Sequence, residues 1–107
     1  MRRIGQLIGV KPEQIEEYER IHARVWPEVL ATIAGCNIRD YSIFRFENML
    51  FAYFEYTGDD YAADMAKMAS DPKTQEWWKI TDPMQEPLPG RASDEWWAAM
   101  KEVFHTD

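Results

Sequence analysis

The sequence predicts an α+β fold of the ferredoxin-like, split βαβ kind, an antiparallel sheet with its helices on one face. Three observations predict it. Segments of period-two alternation and of helical period follow one another in the order β-α-β-β-α-β, with one extra short helix. Only Glu47-Asn48 separates the second strand from the third, the length of a tight hairpin. Proline and glycine fall at the joints, at Pro12, Gly35, Pro72 and along the run from Pro83 to Gly90. A chain of 107 residues favours one domain, 1–107, and its 46% hydrophobic content is enough for a core of that size.

Residues 3–10 form the first predicted strand, with Ile4, Gln6, Ile8 and Val10 alternating with Gly5, Leu7 and Gly9. Two glycines on one face predict a close approach by another backbone or by a ligand. Pro12 ends the strand and opens a helix over 12–34, in which Glu13, Glu16 and Glu17 suit the positive end of the helix dipole. Ile15, Tyr18, Ile21 or His22, Val25, Val29 and Ile33 make its apolar stripe. Pro27 lies inside that stripe and predicts a kink or break over 24–26, while Gly35 is the expected C-cap.

Residues 37–46 read as the second strand, with Ile38, Asp40, Ser42, Phe44 and Phe46 on one face and Arg39, Tyr41, Ile43 and Arg45 on the other. Residues 49–56 make the third, and Asn48 is the turn residue suited to positive φ. A second helix spans 59–69, capped by Asp59 or Asp60, and Pro72 opens a third that carries Trp77 and Trp78. The proline-rich stretch from Pro83 to Gly90 reads as a loop that folds over a site or a partner. Residues 93–100 read as helical and 101–104 as a final strand. The uncovered face of so small a sheet would show Tyr, Phe and Ile to water, which predicts a homodimer with two sheets face to face.

A net charge of −7 excludes the basic surface that nucleic acid or an anionic membrane requires. Nothing approaches the ~20 apolar residues of a membrane span. The single cysteine, Cys36, allows no internal disulfide, and the default compartment is the cytoplasm. A small neutral sugar is indifferent to the net charge.

The candidate chemistry is carried by rings. Tyr18-x3-His22-x3-Trp26-Pro27 places an imidazole between two aromatics at helical spacing. Imidazole gives and takes a proton near neutral pH. A histidine on an apolar stripe is also commonly a hydrogen-bonded core residue, and spacing alone leaves both readings open. Trp77 and Trp78 are adjacent, so they diverge by about 100° around a helix and cannot both enter one core. One is expected to pack and the other to face a cleft or a partner; indole faces suit the C–H face of a pyranose. Trp96-Trp97 repeats the pattern near the C-terminus. The histidines are far apart and the cysteine is alone, so no metal cluster is predicted; no phosphate-binding glycine loop or Gly-x-Ser-x-Gly elbow occurs. What remains is acid–base chemistry on a small neutral ligand, and a ring-opening isomerisation fits that profile.

Several stretches together resemble the L-rhamnose mutarotase family: Glu16-Glu17-Tyr18-x3-His22-x3-Trp26-Pro27-Glu28, Asn37-x3-Tyr41-Ser42-Ile43, Asn48-Met49-Leu50-Phe51-Ala52, Gln75-Glu76-Trp77-Trp78-Lys79-x-Thr81-Asp82 and Glu102-Val103-Phe104. The resemblance implies a dimeric α/β-barrel of ferredoxin-like subunits that interconverts the α and β anomers of L-rhamnose without a cofactor. It implies His22 as the proton donor, with Tyr18, Tyr41, Trp77 and Trp78 in contact with the sugar. The stretch from Gln85 to Met100 departs from the family's pattern, and the chain ends His105-Thr106-Asp107 where an aromatic or apolar ending is the rule. L-Fucose or L-fuculose is an alternative sugar. A dimeric-barrel oxygenase and a sugar-binding module without turnover are alternative functions.

Overall fold

A computed structural model describes all residues, 1–107. Its elements are β1 (Arg2–Val10), α1 (Ile15–His22, entered through a 3-10 turn at Pro12–Gln14), α2 (Pro27–Gly35), β2 (Ile38–Phe46), β3 (Met49–Tyr56), α3 (Tyr61–Ala69), α4 (Pro72–Thr81), β4 (Gln85–Glu86) and β5 (Ala98–Met100). The sheet is antiparallel, in the order β2-β3-β1-β4, with β5 continuing along the edge of β1 that β4 begins. The predicted α+β, split βαβ architecture is what forms. No helix is long and apolar enough to cross a membrane.

The long first helix divides in two. Proline disfavours the helical conformation at the residue before it, and Trp26 is extended, at φ −60 and ψ 135. Pro27 then opens α2, where its missing N–H is no loss. Trp26 therefore leaves the helical face that it was expected to share with Tyr18 and His22. Gly35 is the last helical residue rather than the cap; the left-handed position falls on Asn37, at φ 65, whose side chain donates to Asp64. Asp60 caps α3 by accepting from the Ala63 N–H. Asp71 caps α4 by accepting from both the N–H and the hydroxyl of buried Thr74, and those bonds lower its pKa.

β2 does not alternate strictly. Arg39 pairs with Glu55 and Ser42 with Tyr53, so Asp40 and Tyr41 together oppose the single residue Phe54. This is a β-bulge, with Asp40 at φ 52. It corrects the predicted faces: Ile38 lies on the helix side together with Tyr41, Ile43 and Arg45. In the hairpin, positive φ falls on Glu47 (52°) and not on Asn48. A left-handed non-glycine residue is strained by about 1–2 kcal/mol, so Glu47→Gly is expected to stabilise the fold by about 0.5–1 kcal/mol. The urea midpoint should rise at unchanged slope, and an unmoved midpoint would show that the turn holds no strain.

The C-terminal third also differs from expectation. Residues 93–97 are not helical, Ala98–Met100 is a strand on β1, and 101–104 form no strand. The proline-rich loop contains β4, paired through Gly9–Glu86 and Val10–Gln85. The close approach predicted at the glycines of β1 is made here: a Cβ on Gly9 would stand 2.8 Å from the Glu86 carbonyl oxygen.

The helix side of the sheet carries two apolar clusters. Ile8, Val10, Leu50 and Met84 pack with Tyr18 of α1; Cys36, Ile38 and Phe54 pack with Met68 of α3. Ala52, between Leu50 and Phe54 on the same face of β3, has only a methyl group, which leaves depth for rings brought in by the helices. The opposite side of the sheet is open. Phe44, Phe46, Phe51 and Met100 are 62%, 68%, 40% and 42% exposed, a contiguous apolar surface with nothing over it.

Candidate active site

The site is built where α1 ends. Tyr18 and His22 are one turn apart, and their rings stack at 4.0 Å with planes 23° apart. His22 Nδ1 lies 2.7 Å from the backbone oxygen of Tyr18. A carbonyl only accepts, so Nδ1 carries the proton and donates it. Nε2 is then the lone-pair nitrogen of the neutral ring. Burial lowers the His22 pKa below the usual 6.5, with the Tyr18 bond acting in the other direction. Neutral imidazole is therefore the resting form at pH 7.

Trp77 backs this pair. It is buried in α4 and meets His22 edge-on at 5.3 Å and 70°, and Trp26 at 5.2 Å and 74°. Trp26 thus rejoins the ring cluster from the break between α1 and α2, with the Lys73 ammonium 5.9 Å from its centroid. Trp78 diverges as adjacent indoles must. It is half-buried against the cluster of Cys36, Ile38, Phe54 and Met68. Tyr41, turned inward by the bulge, packs on Phe54 of that same cluster at 5.3 Å. Although Tyr41 is 38% exposed, desolvation raises its phenol well above the ordinary range, and the nearby Tyr18 and Tyr61 oxygens add to the effect.

A pocket of about 280 Å³ opens beside the first group, lined by Tyr18, Glu19, His22, Ala23, Ile43, Arg45 and Leu50. That is near the small end of ligand pockets, in keeping with a monosaccharide. Tyr18, His22 and Trp77 form one ring cluster, and the first two line the pocket. Tyr41 and Trp78 do not line it and meet instead at the Phe54 cluster. A larger cleft of about 500 Å³, between Ala31 and Lys67, contains none of these residues and only one hydrophobic wall residue. No three His, Cys, Asp or Glu side chains converge as a metal site would require.

Three polar residues that spacing did not single out, Arg45, Glu19 and Gln85, join the site together with the Trp96 indole. Arg45 pairs with Glu19 across the pocket wall and donates to the Glu47 carbonyl at 2.7 Å. The Trp96 indole donates to Gln85 Oε1 at 2.8 Å, and Gln85 Nε2 donates to the Tyr18 hydroxyl at 3.2 Å. Burial pushes the Tyr18 phenol up to about 12, with the Gln85 bond opposing the shift. The parity of Arg45 along β2 was a usable signal. Gln85 had none, because it lies in a stretch that reads as loop.

A curled antiparallel sheet with helices on one side, carrying a tautomer-fixed imidazole at an aromatic-backed pocket, defines the class: a small α+β protein equipped for acid–base chemistry on a neutral ligand. The chain belongs to the L-rhamnose mutarotase family, whose model matches residues 3–106, and so is an anomer-interconverting isomerase. It is 33% identical to an L-rhamnose mutarotase of Oceanobacillus iheyensis over the whole of both chains. It is 37% identical to an L-fucose mutarotase of Xanthomonas campestris pv. campestris over 84% of this chain and 74% of that one. Among solved structures, an L-rhamnose mutarotase from Formosa agariphila superposes over the whole of both chains with a TM-score of 0.79; at 22% identity that likeness is one of fold.

Proposed function

We propose that the protein interconverts the α and β anomers of L-rhamnose by acid–base ring opening and closure, with His22 exchanging the proton. The observation that carries this reading is the Nδ1–H bond to the Tyr18 carbonyl, which leaves Nε2 free to work in both directions. Neutral His22 takes the proton of the anomeric hydroxyl as C1=O1 forms and C1–O5 breaks. The ring oxygen takes its proton from a phenol, Tyr18 or Tyr41; both stay protonated at neutral pH, and a developing alkoxide is basic enough to take the proton. After rotation about C1–C2, closure on the other face reverses both transfers, and here His22 is the donor that the family resemblance implies. The proton inventory closes on side chains, so the proposed reaction needs no cofactor. Tyr18, Tyr41, Trp77 and Trp78 are the proposed sugar contacts.

Anomeric saturation transfer by NMR tests the reading. Exchange of L-rhamnose should be accelerated more than that of other sugars. The relationship to an L-fucose mutarotase makes L-fucose the first competitor to measure, and faster exchange of L-fucose would reassign the substrate. If no sugar is accelerated, the mutarotase reading fails.

The proposed assembly is a homodimer, a dimeric α/β-barrel closed by the open sheet faces. Its support is the exposed surface of Phe44, Phe46, Phe51 and Met100, since burying it twice over contributes much of the ~1,000 Å² that a stable interface needs. Phe44→Glu should convert a dimer to a monomer in light scattering. A wild-type protein that is monomeric at micromolar concentration would rule the dimer out. The cytoplasm is the proposed setting, supported by the one unpaired, buried thiol, Cys36.

A further inference from the structure

We propose that Gln85 and Trp96 are positioning residues that fix the direction of the Tyr18 hydroxyl hydrogen bond, so that the phenol is a donor toward the sugar. The inference rests on Tyr18 being a sugar contact, and it begins with a group whose polarity is beyond choice. An indole N–H can only donate. Trp96 Nε1 is 2.8 Å from the Gln85 side chain, so the amide end facing it is the oxygen. The other end is the NH₂, which also can only donate, and it faces the Tyr18 hydroxyl at 3.2 Å. The Tyr18 oxygen therefore accepts, and the phenol proton is not used on Gln85. No other protein group takes that proton. Tyr18 lines the pocket together with His22, so the O–H is left for a ligand oxygen.

Turning the amide over would bring its NH₂ against the indole N–H, two donors facing each other. Gln85 is only 6% exposed, so water has little access to repair the loss. The three groups come from α1, β4 and the segment before β5, and the bonds between them hold one polarity across all three. Without Trp96 the amide is free to rotate. Its oxygen can then accept from Tyr18, turning the phenol proton away from the sugar. This also gives a role to the stretch from Gln85 to Met100, where the chain departs from the pattern of the family it resembles.

Trp96 is 41% exposed, so Trp96→Phe removes the indole N–H with little effect on packing. That substitution is expected to lower kcat/KM for anomer exchange by about threefold to tenfold, the worth of one misdirected hydrogen bond. In a Tyr18→Phe background the same substitution should cost nothing further, because no hydroxyl remains to orient. A purely structural role predicts the same loss in both backgrounds, and that result overturns the proposal. The bond itself has a readout that needs no turnover: the Trp96 indole ¹⁵N–H resonance should move upfield in Gln85→Met, and an unmoved resonance overturns the relay whatever the activity. A wild-type protein that exchanges no anomers sinks the mutarotase reading instead. A wild type that exchanges them, but with additive losses, sinks the relay alone.

Discussion

His22→Ala is expected to slow anomer exchange by about 10²–10⁴-fold, the usual contribution of a positioned acid–base group. The residual rate should approach that of mutarotation in water. The fold should survive, because His22 is half-buried at the end of α1 and belongs to neither apolar cluster. Exchange in His22→Ala as fast as in wild type would remove the imidazole from the chemistry. The pH dependence follows from the direction of the shift. Burial lowers the His22 pKa below 6.5, so the neutral form is already dominant at neutral pH. The rate should be level across neutrality and fall only on the acid side of 6.5. The stability term has the same sign. Between the lowered folded pKa and the unfolded value the unfolded chain binds more protons, so this contribution is complete above the unfolded pKa and declines as pH falls below it. In His22→Ala both effects should be absent.

Trp77→Ala is expected to destabilise the protein by about 3–5 kcal/mol, the range for deleting a buried indole. Trp77 is 7% exposed and holds two edge contacts, to His22 and to Trp26. Its loss opens a cavity behind the imidazole and lets water reach it. The depressed His22 pKa should then return toward 6.5, and the acid limb of the rate profile should move to higher pH. Urea unfolding gives the first number and the pH–rate profile the second. If both match wild type, Trp77 is neither a packing residue nor the wall that keeps His22 dry. Trp78→Ala provides the contrast: it should cost less in stability and leave the acid limb in place, since the side chains that surround Trp78 do not include His22.

The sequence was most readable where one physical rule acted alone. Alternation marked β1, a run of aromatic and apolar residues marked β3, Pro72 marked the start of α4, and Pro27 marked the break after α1. The pairing of Tyr18 with His22 followed from helical spacing, and the divergence of Trp77 from Trp78 followed from the angle between neighbours on a helix. Reading failed where a long-range contact decided a local conformation. Ala98–Met100 is strand because β1 has a free edge there, and nothing in Ser93 to Met100 announces that edge. Trp26 left the helical face of Tyr18 and His22 yet returned to Trp77 through the turn, a contact that no periodicity describes. Gln85 matters because an indole eleven residues later points at it. The alternation of β2 misassigned Ile38 because a period of two cannot show where a bulge adds one residue.

That added residue has a consequence for how relatives of this chain are compared. A sequence lacking one position near Asp40 would align with a single gap, the kind usually passed over as loop variation. Yet in such a chain β2 would alternate regularly and still keep Ile38 and Tyr41 on the helix side, two residues apart instead of three. A chain of the full length that lost the bulge would align without any gap and yet turn either Ile38 or Tyr41 out to the open face. In sorting members of this family by substrate, the bulge of β2 should be located before its letters are matched.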